Sequence, residues 1–189
     1  MIACRFLFLG AMALSISGLT QAQTPDPARA AVERADAVVR SLQEAEITDP
    51  TVFVKSAALG GMTEIELAKL VRSKSQDAGI RDFATRLLKE QQAIHAELAA
   101  IARHKRLDVP ASLDYEDEQL VMQAAEKAGP EFDTWYVRQM IDEYQQALGL
   151  YRAAAKMDDA EFSAFAKKTL PTLDEHQKMA VALSARASH

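Results

Sequence analysis

The stretch PTVFVKSAALGGMTEIELAKLVRSKSQDAGIRDFATRLLKEQQAIHAELAAIARHK, residues 50–105, decides the fold. In its first half Phe53, Ala57, Gly60, Glu64, Leu67 and Val71 recur at steps of three and four, which places them on one face of a helix. Glu64 is the charged member of an otherwise apolar or small-residue stripe. The second half repeats the period through Ile80, Phe83, Ala84, Leu87, Leu88 and Gln91, then Ile94, His95, Leu98 and Ile101. Thr48-Asp49-Pro50 supplies a helix start: Asp49 accepts from free backbone donors, and Pro50 takes the first helical position at little cost. The first predicted helix runs from about Pro50 to Gln76. The second, capped by Ser75 or Asp77, runs to about Lys105. A link this short forces the two helices antiparallel.

Downstream, Asp108-Val109-Pro110 ends the second helix, and Ser112 or Asp114 opens a short one that stops before Gly129-Pro130. A third long helix begins at Pro130 and presents Phe132, Tyr136, Met140, Glu143 and Tyr144, then Ala147, Tyr151 and Ala154. Asp158, with Glu161 three residues on, predicts the cap of a fourth, which displays Phe162, Phe165, Ala166, Thr169 and Leu173, then His176, Ala180 and Leu183. Pro171 predicts a kink or break near residue 167. Roughly two dozen residues separate the second long helix from the third. At ~1.5 Å per helical residue a helix of about 28 residues is ~42 Å long. A link of that size, about half of it helical and the rest at ~3.3 Å per residue, retraces that length. The expected fold is all-α: a ferritin-like four-helix bundle over residues 50–186 with a long crossover containing a short helix. An up-down-up-down bundle is the alternative.

Ahead of the bundle, Arg5, the apolar run from Phe6 to Ile16 and the small, polar stretch from Ser17 to Ala22 read as an export signal over residues 1–22. The run of about eleven apolar residues falls short of the ~20 that span a bilayer. Residues 23–49 form a tail and a helical segment from Ala28 to about Glu46, with a thin stripe of Val32, Val38, Val39 and Leu42. The expected location is the periplasm or cell envelope, with no transmembrane span after signal removal. Cys4, the only cysteine, precedes the apolar run, so the mature chain has no disulfide, thiolate ligand or thiol nucleophile. The net charge of −5 becomes −6 once Arg5 leaves, and the basic residues are dispersed, which argues against nucleic acid. Seven glycines and six prolines in 189 residues favour helix throughout.

Three pieces of the chain resemble the domain of unknown function 4142 family of exported bacterial proteins. They are FVKSAALGGMTEIEL from Phe53 to Leu67, Phe132-Asp133 with Tyr136 before Met140, and Leu170-Pro171-Thr172-Leu173 followed by His176. The resemblance covers about residues 52–184. It implies a fold similar to ferritins and the label of outer-membrane protein, but no established activity. A membrane barrel needs ~10-residue segments of alternating hydrophobicity, and the sequence contains none. The resemblance also implies an Asp-His pair in the second long helix and another in the third. Here those positions read Glu90-Gln91 and Glu143-Tyr144, so both histidines are replaced and His176 is left.

A ferritin-like di-metal centre takes one glutamate from each of two helices and a Glu-x-x-His from each of the others. Gln92 stands three before His95 and Leu173 three before His176, so neither motif is complete. A partial metal-ligand set consists of Glu64, Glu90, His95, Glu143, Glu175 and His176. The simpler expectation is a polar core cluster of Glu64, Gln91, Tyr144 and His176, with His176 bonded to Glu64 or Glu143, because a buried carboxylate needs partners. Tyr136, Tyr144 and Tyr151 are expected in the core. Gly60-Gly61 lacks the strand that a phosphate loop requires and predicts close approach of the first helix to a neighbour. With no intact catalytic constellation and no organic cofactor expected, the leading reading is a non-enzymatic accessory protein, acting under stress or through a protein partner in the envelope. The others are a metal-binding ferritin-like protein with a degenerate site, and a binder of an apolar ligand among Met62, Leu88, Met140 and Leu173.

Overall fold

The computed structural model describes residues 49–187. The export signal over residues 1–22, the segment before Asp49 and His189 lie outside the described residues. Five helices follow in order: α1 (Pro50–Lys74), α2 (Ala78–His104), α3 (Tyr115–Glu126), α4 (Gly129–Ala154) and α5 (Ala160–Ala187). No strand occurs among the described residues.

Each start has a local cause. Asp49 accepts from the Thr51 and Val52 N–H groups at 2.7 and 3.4 Å, Asp77 from Ile80 at 2.8 Å, and Asp114 from Asp117 at 3.0 Å. Caps of this kind contribute about 1 kcal/mol each. The α5 cap falls on Asp159, one residue after the expected Asp158, and takes the Glu161 and Phe162 N–H groups at 3.0 and 3.2 Å. Gly129 opens α4 at a φ of +55°, a left-handed conformation that costs glycine nothing.

Side-chain contacts give the helix directions. From α1 to α4, the Phe53 ring lies 5.3 Å from Tyr151, Glu64 meets Tyr144, and the Lys74 ammonium stands 5.8 Å over Phe132. Residue numbers rise on one helix as they fall on the other, so the pair is antiparallel. Between α2 and α5, Arg86 meets Glu175 at 2.7 Å and Glu97 meets Lys168 at 2.8 Å; beyond the end of α2, Lys105 reaches Asp159 at 2.7 Å. That pair is antiparallel too. The ring of neighbours runs α1, α2, α5, α4, and α3 lies against α1 and α4. Helices α2 and α4 therefore run the same way, as an up-down-up-down bundle would not allow, and the crossover carrying α3 covers the length between them.

The predicted stripes face inward. Phe53 is fully buried and meets Tyr151, Phe162 and Phe165 edge-on, with ring centroids 5.3, 5.7 and 6.4 Å away. Phe83, Phe132 and Tyr136 fill the opposite end. Between these aromatic layers, near mid-height on four helices, lie Glu64, Gln91, Tyr144 and His176, all buried. Among the described residues, no helix is long and apolar enough to cross a membrane.

One expectation is corrected and another holds in part. Helix α5 continues through Pro171 without a break. Pro171 and Lys167 are exposed, so the carbonyl that loses its donor lies on the water side, while Phe165, Ala166, Leu173 and His176 anchor both flanks in the core. Of the Gly60-Gly61 pair, Gly60 lies beside open space, where a Cβ would meet nothing within 4 Å, whereas a Cβ at Gly61 would stand 3.8 Å from the Gln91 side chain of α2. Pro171→Ala is expected to restore one hydrogen bond and raise the unfolding free energy by about 1 to 3 kcal/mol. Urea denaturation checks this, and an unchanged midpoint would show that the proline costs the helix nothing.

Candidate functional site

A carboxyl group on an inward helix face loses its water and must find partners. Glu64, 2% exposed, finds two. The Gln91 amide of α2 and the Tyr144 hydroxyl of α4, the latter at 2.6 Å, both donate to Glu64 Oε2. Both donors are neutral. Burial therefore pushes the Glu64 pKa up to about 8, the two hydrogen bonds offset it only in part, and the charge of Glu143 raises it further. Glu64 holds its proton at neutral pH. Burial, with Glu64 beside it, likewise holds the Tyr144 hydroxyl well above the ordinary range, so it stays a donor.

His176 is fully buried, and its partner is neither Glu64 nor Glu143. Its Nε2 lies 2.5 Å from Glu90 Oε2. Burial keeps the imidazole below its ordinary pKa while Glu90 pulls the other way, so the ring is neutral at pH 7 and Nε2–H donates to the carboxylate. Nδ1 is buried without a hydrogen-bond partner. His176 joins the cluster through its ring, edge-on to Tyr144 at 5.2 Å. Burial works to raise Glu90, but hydrogen bonds from Arg86 and His176 outweigh it and leave Glu90 below the usual carboxylate range. Arg86 donates to Glu90 at 3.0 Å and to both oxygens of Glu175 at 2.9 and 2.7 Å.

The six candidate ligands are thus divided. Glu90, Glu175 and His176 gather on the α2–α5 side around Arg86. Glu143 sits on α4 with Gln139 donating to it at 2.7 Å. His95, half-buried on α2, keeps Nδ1 buried without a partner. Among the described residues no three His, Cys, Asp or Glu side chains are placed to hold a metal ion. Sequence reasoning missed Arg86, although its position four before Glu90 on a helix is the spacing at which such pairs meet.

It also missed a cavity of about 800 Å³ that opens between α1 and α4 beside the start of α3. A Cβ at Gly149, as at Gly60, would meet nothing within 4 Å. These glycines keep the space open. Glu64 and Gln91 line it at depth, Leu59, Leu150 and Leu173 give it an apolar wall, and Asp114, Glu116, Asp117 and Glu143 stand around it. Of Met62, Leu88, Met140 and Leu173, only Leu173 lines it: Met140 is fully packed in the core, and Met62 lines a separate groove with Val121 and Met122.

A family model matches residues 21–183, which takes in every element that builds this arrangement. The chain belongs to that family, Domain of unknown function (DUF4142). No curated protein and no solved structure matches it. In this DUF4142 chain, Gln91 and Tyr144 stand where the sequence resemblance implies histidines, and both donate to Glu64.

A folded-state pKa raised above the unfolded value means that the native protein binds more protons than the unfolded chain, so stability falls as pH rises between 4.5 and about 8. The slope from one group is on the order of 1 kcal/mol per pH unit. Glu64→Gln keeps an acceptor for both donors and is expected to flatten that slope, as urea denaturation at several pH values across the window would measure. Parallel profiles for the two proteins would contradict a protonated Glu64. Tyr144→Phe removes a hydrogen bond that lowers the Glu64 pKa, so it is expected to cost about 1 to 3 kcal/mol and to move the pH window upward.

Proposed function

We propose that the chain is an exported helical-bundle protein of ferritin-like arrangement that works without catalysis, as a stress-related accessory or through a protein partner in the cell envelope. The observation that carries this reading is the state of Glu64. Its carboxyl is tied by two neutral side chains, and Arg86 occupies the carboxylates of Glu90 and Glu175. Such a network fixes helix register, a structural rather than a catalytic use of buried polar groups. The ferritin-like reading is supported by the parallel course of α2 and α4 with a crossover between them. Export is supported by the charged, apolar and small-residue order of residues 5–22.

Expression of the full-length chain in a bacterium with two membranes is expected to deliver a product cleaved after Ala22 to the periplasmic fraction, as mass spectrometry of its N-terminus would show. A chain held in the cytoplasm with residues 1–22 intact would end the export reading. Elemental analysis of that product, purified without an affinity tag, is expected to find iron, manganese and zinc far below one per chain. Stoichiometric metal lost in Glu64→Gln or His176→Ala would replace this reading with that of a metal-binding protein.

A further inference from the structure

The inward face of α4 carries Tyr136, Tyr144 and Tyr151, and their hydroxyls fare differently. Tyr144 donates to Glu64 at 2.6 Å, and the Tyr136 hydroxyl is sealed in the core without a partner. Tyr151 is a third case. Its side chain is 4% exposed, with the ring edge-on to Phe53 at 5.3 Å and tilted against Phe165 at 5.9 Å. Its hydroxyl makes no hydrogen bond among the described residues, yet it is not sealed in as that of Tyr136 is, because Tyr151 lines the cavity between α1 and α4. The ring belongs to the core and the hydroxyl opens into that space.

A polar group brought to the edge of an aromatic core costs free energy unless something answers it. Phenylalanine would pack against Phe53 and Phe165 as well as tyrosine does, so packing does not account for the hydroxyl. Burial, with Glu64 beside it, holds the Tyr151 pKa above the ordinary range. The hydroxyl therefore keeps its proton and can both donate and accept.

The space in front of it has the size and lining of a small-molecule site: about 800 Å³, with Leu59, Leu150 and Leu173 as an apolar wall. Cβ atoms at Gly60 and Gly149 would meet nothing within 4 Å, so the way to Tyr151 is clear. Asp114, Glu116, Asp117 and Glu143 stand around the space, and among the described residues no Lys, Arg or His lines it, so an anion is repelled. A cation seated on a neutral hydroxyl and leucines would lose its water without a counter-charge. What fits is uncharged, with an apolar stem and one hydrogen-bonding group.

We infer that this cavity binds a small uncharged aliphatic alcohol, its stem along the leucine wall and its hydroxyl paired with that of Tyr151. The inference does not depend on export or on a protein partner.

Titration of the isotope-labelled, purified chain with n-hexanol, followed by NMR, is expected to shift the amide signals of Gly60, Gly149 and Leu150 along one saturable curve. Hexanoate, with a stem of the same length and a negative charge, is expected to leave them in place. Tyr151→Phe keeps the ring and is expected to weaken binding about five- to tenfold, the loss of one hydrogen bond. Its Tm is expected to stay at or above that of the parent, because the hydroxyl removed is bonded to nothing in the fold. Gly149→Leu is expected to abolish binding by filling the space, with helix content retained, since leucine favours helix over glycine. Should that variant fail to fold, Gly60→Leu carries the same test. Shifts that never saturate, equal shifts with hexanoate, undiminished affinity in Tyr151→Phe, or a lowered Tm in that variant would each overturn the inference.

Discussion

A carboxyl group placed in the middle of an apolar helix face has to be satisfied from other helices, because its own turn offers no free donor there. Glu64 imposes that demand on α1, and Gln91 of α2 and Tyr144 of α4 answer it at one oxygen. One turn of helix is ~5.4 Å, so a slip of that size in any of the three would strand a dehydrated polar group. The α5 helix is bound to the same level, since His176 reaches Glu90 and lays its ring against Tyr144. Aromatic layers pack above and below, and the polar belt sets how the layers line up.

Two glutamates of one interior show how surroundings decide chemistry. Glu64 has only neutral donors and is pushed up to about 8, whereas Glu90, less deeply buried and held by Arg86 and His176, lies below the usual range. Arg86 and His176 hold Glu90, and Gln91 and Tyr144 hold Glu64. The two seams differ in the same way. Between α2 and α5, Arg86 with Glu175 and Lys168 with Glu97 close the surface. Between α1 and α4, Gly60 and Gly149 leave it open beside unpaired carboxylates.

Much of the fold was legible in the sequence. Phe53, Leu67 and Val71, and likewise Phe162, Leu173 and Leu183, recur at helical steps because each must face the core, and they do. The cap at Asp49 was readable, and Asp77 and Asp114 each as one of two candidates, because a short polar side chain before a periodic run satisfies free backbone donors. Pro171 does not break α5, because whether a proline breaks a helix depends on whether its flanks are anchored and whether the lost bond faces water. The glycine pair divided, Gly61 lying against Gln91 of α2 and Gly60 beside open space, because a small residue opens space as readily as it permits contact.

By itself the sequence determined that the described chain is helical, which face of each of the four long helices is buried, and that Glu64 would need polar company, since these follow from periodicity and from the cost of dehydrating a carboxyl group. Only the tertiary structure decided that His176 answers Glu90, that Arg86 occupies two candidate ligands, and that a cavity stands open at Gly60 and Gly149. Those outcomes depend on the rotation and height of one helix relative to another. Summed packing over many residues decides both, and no single motif encodes them.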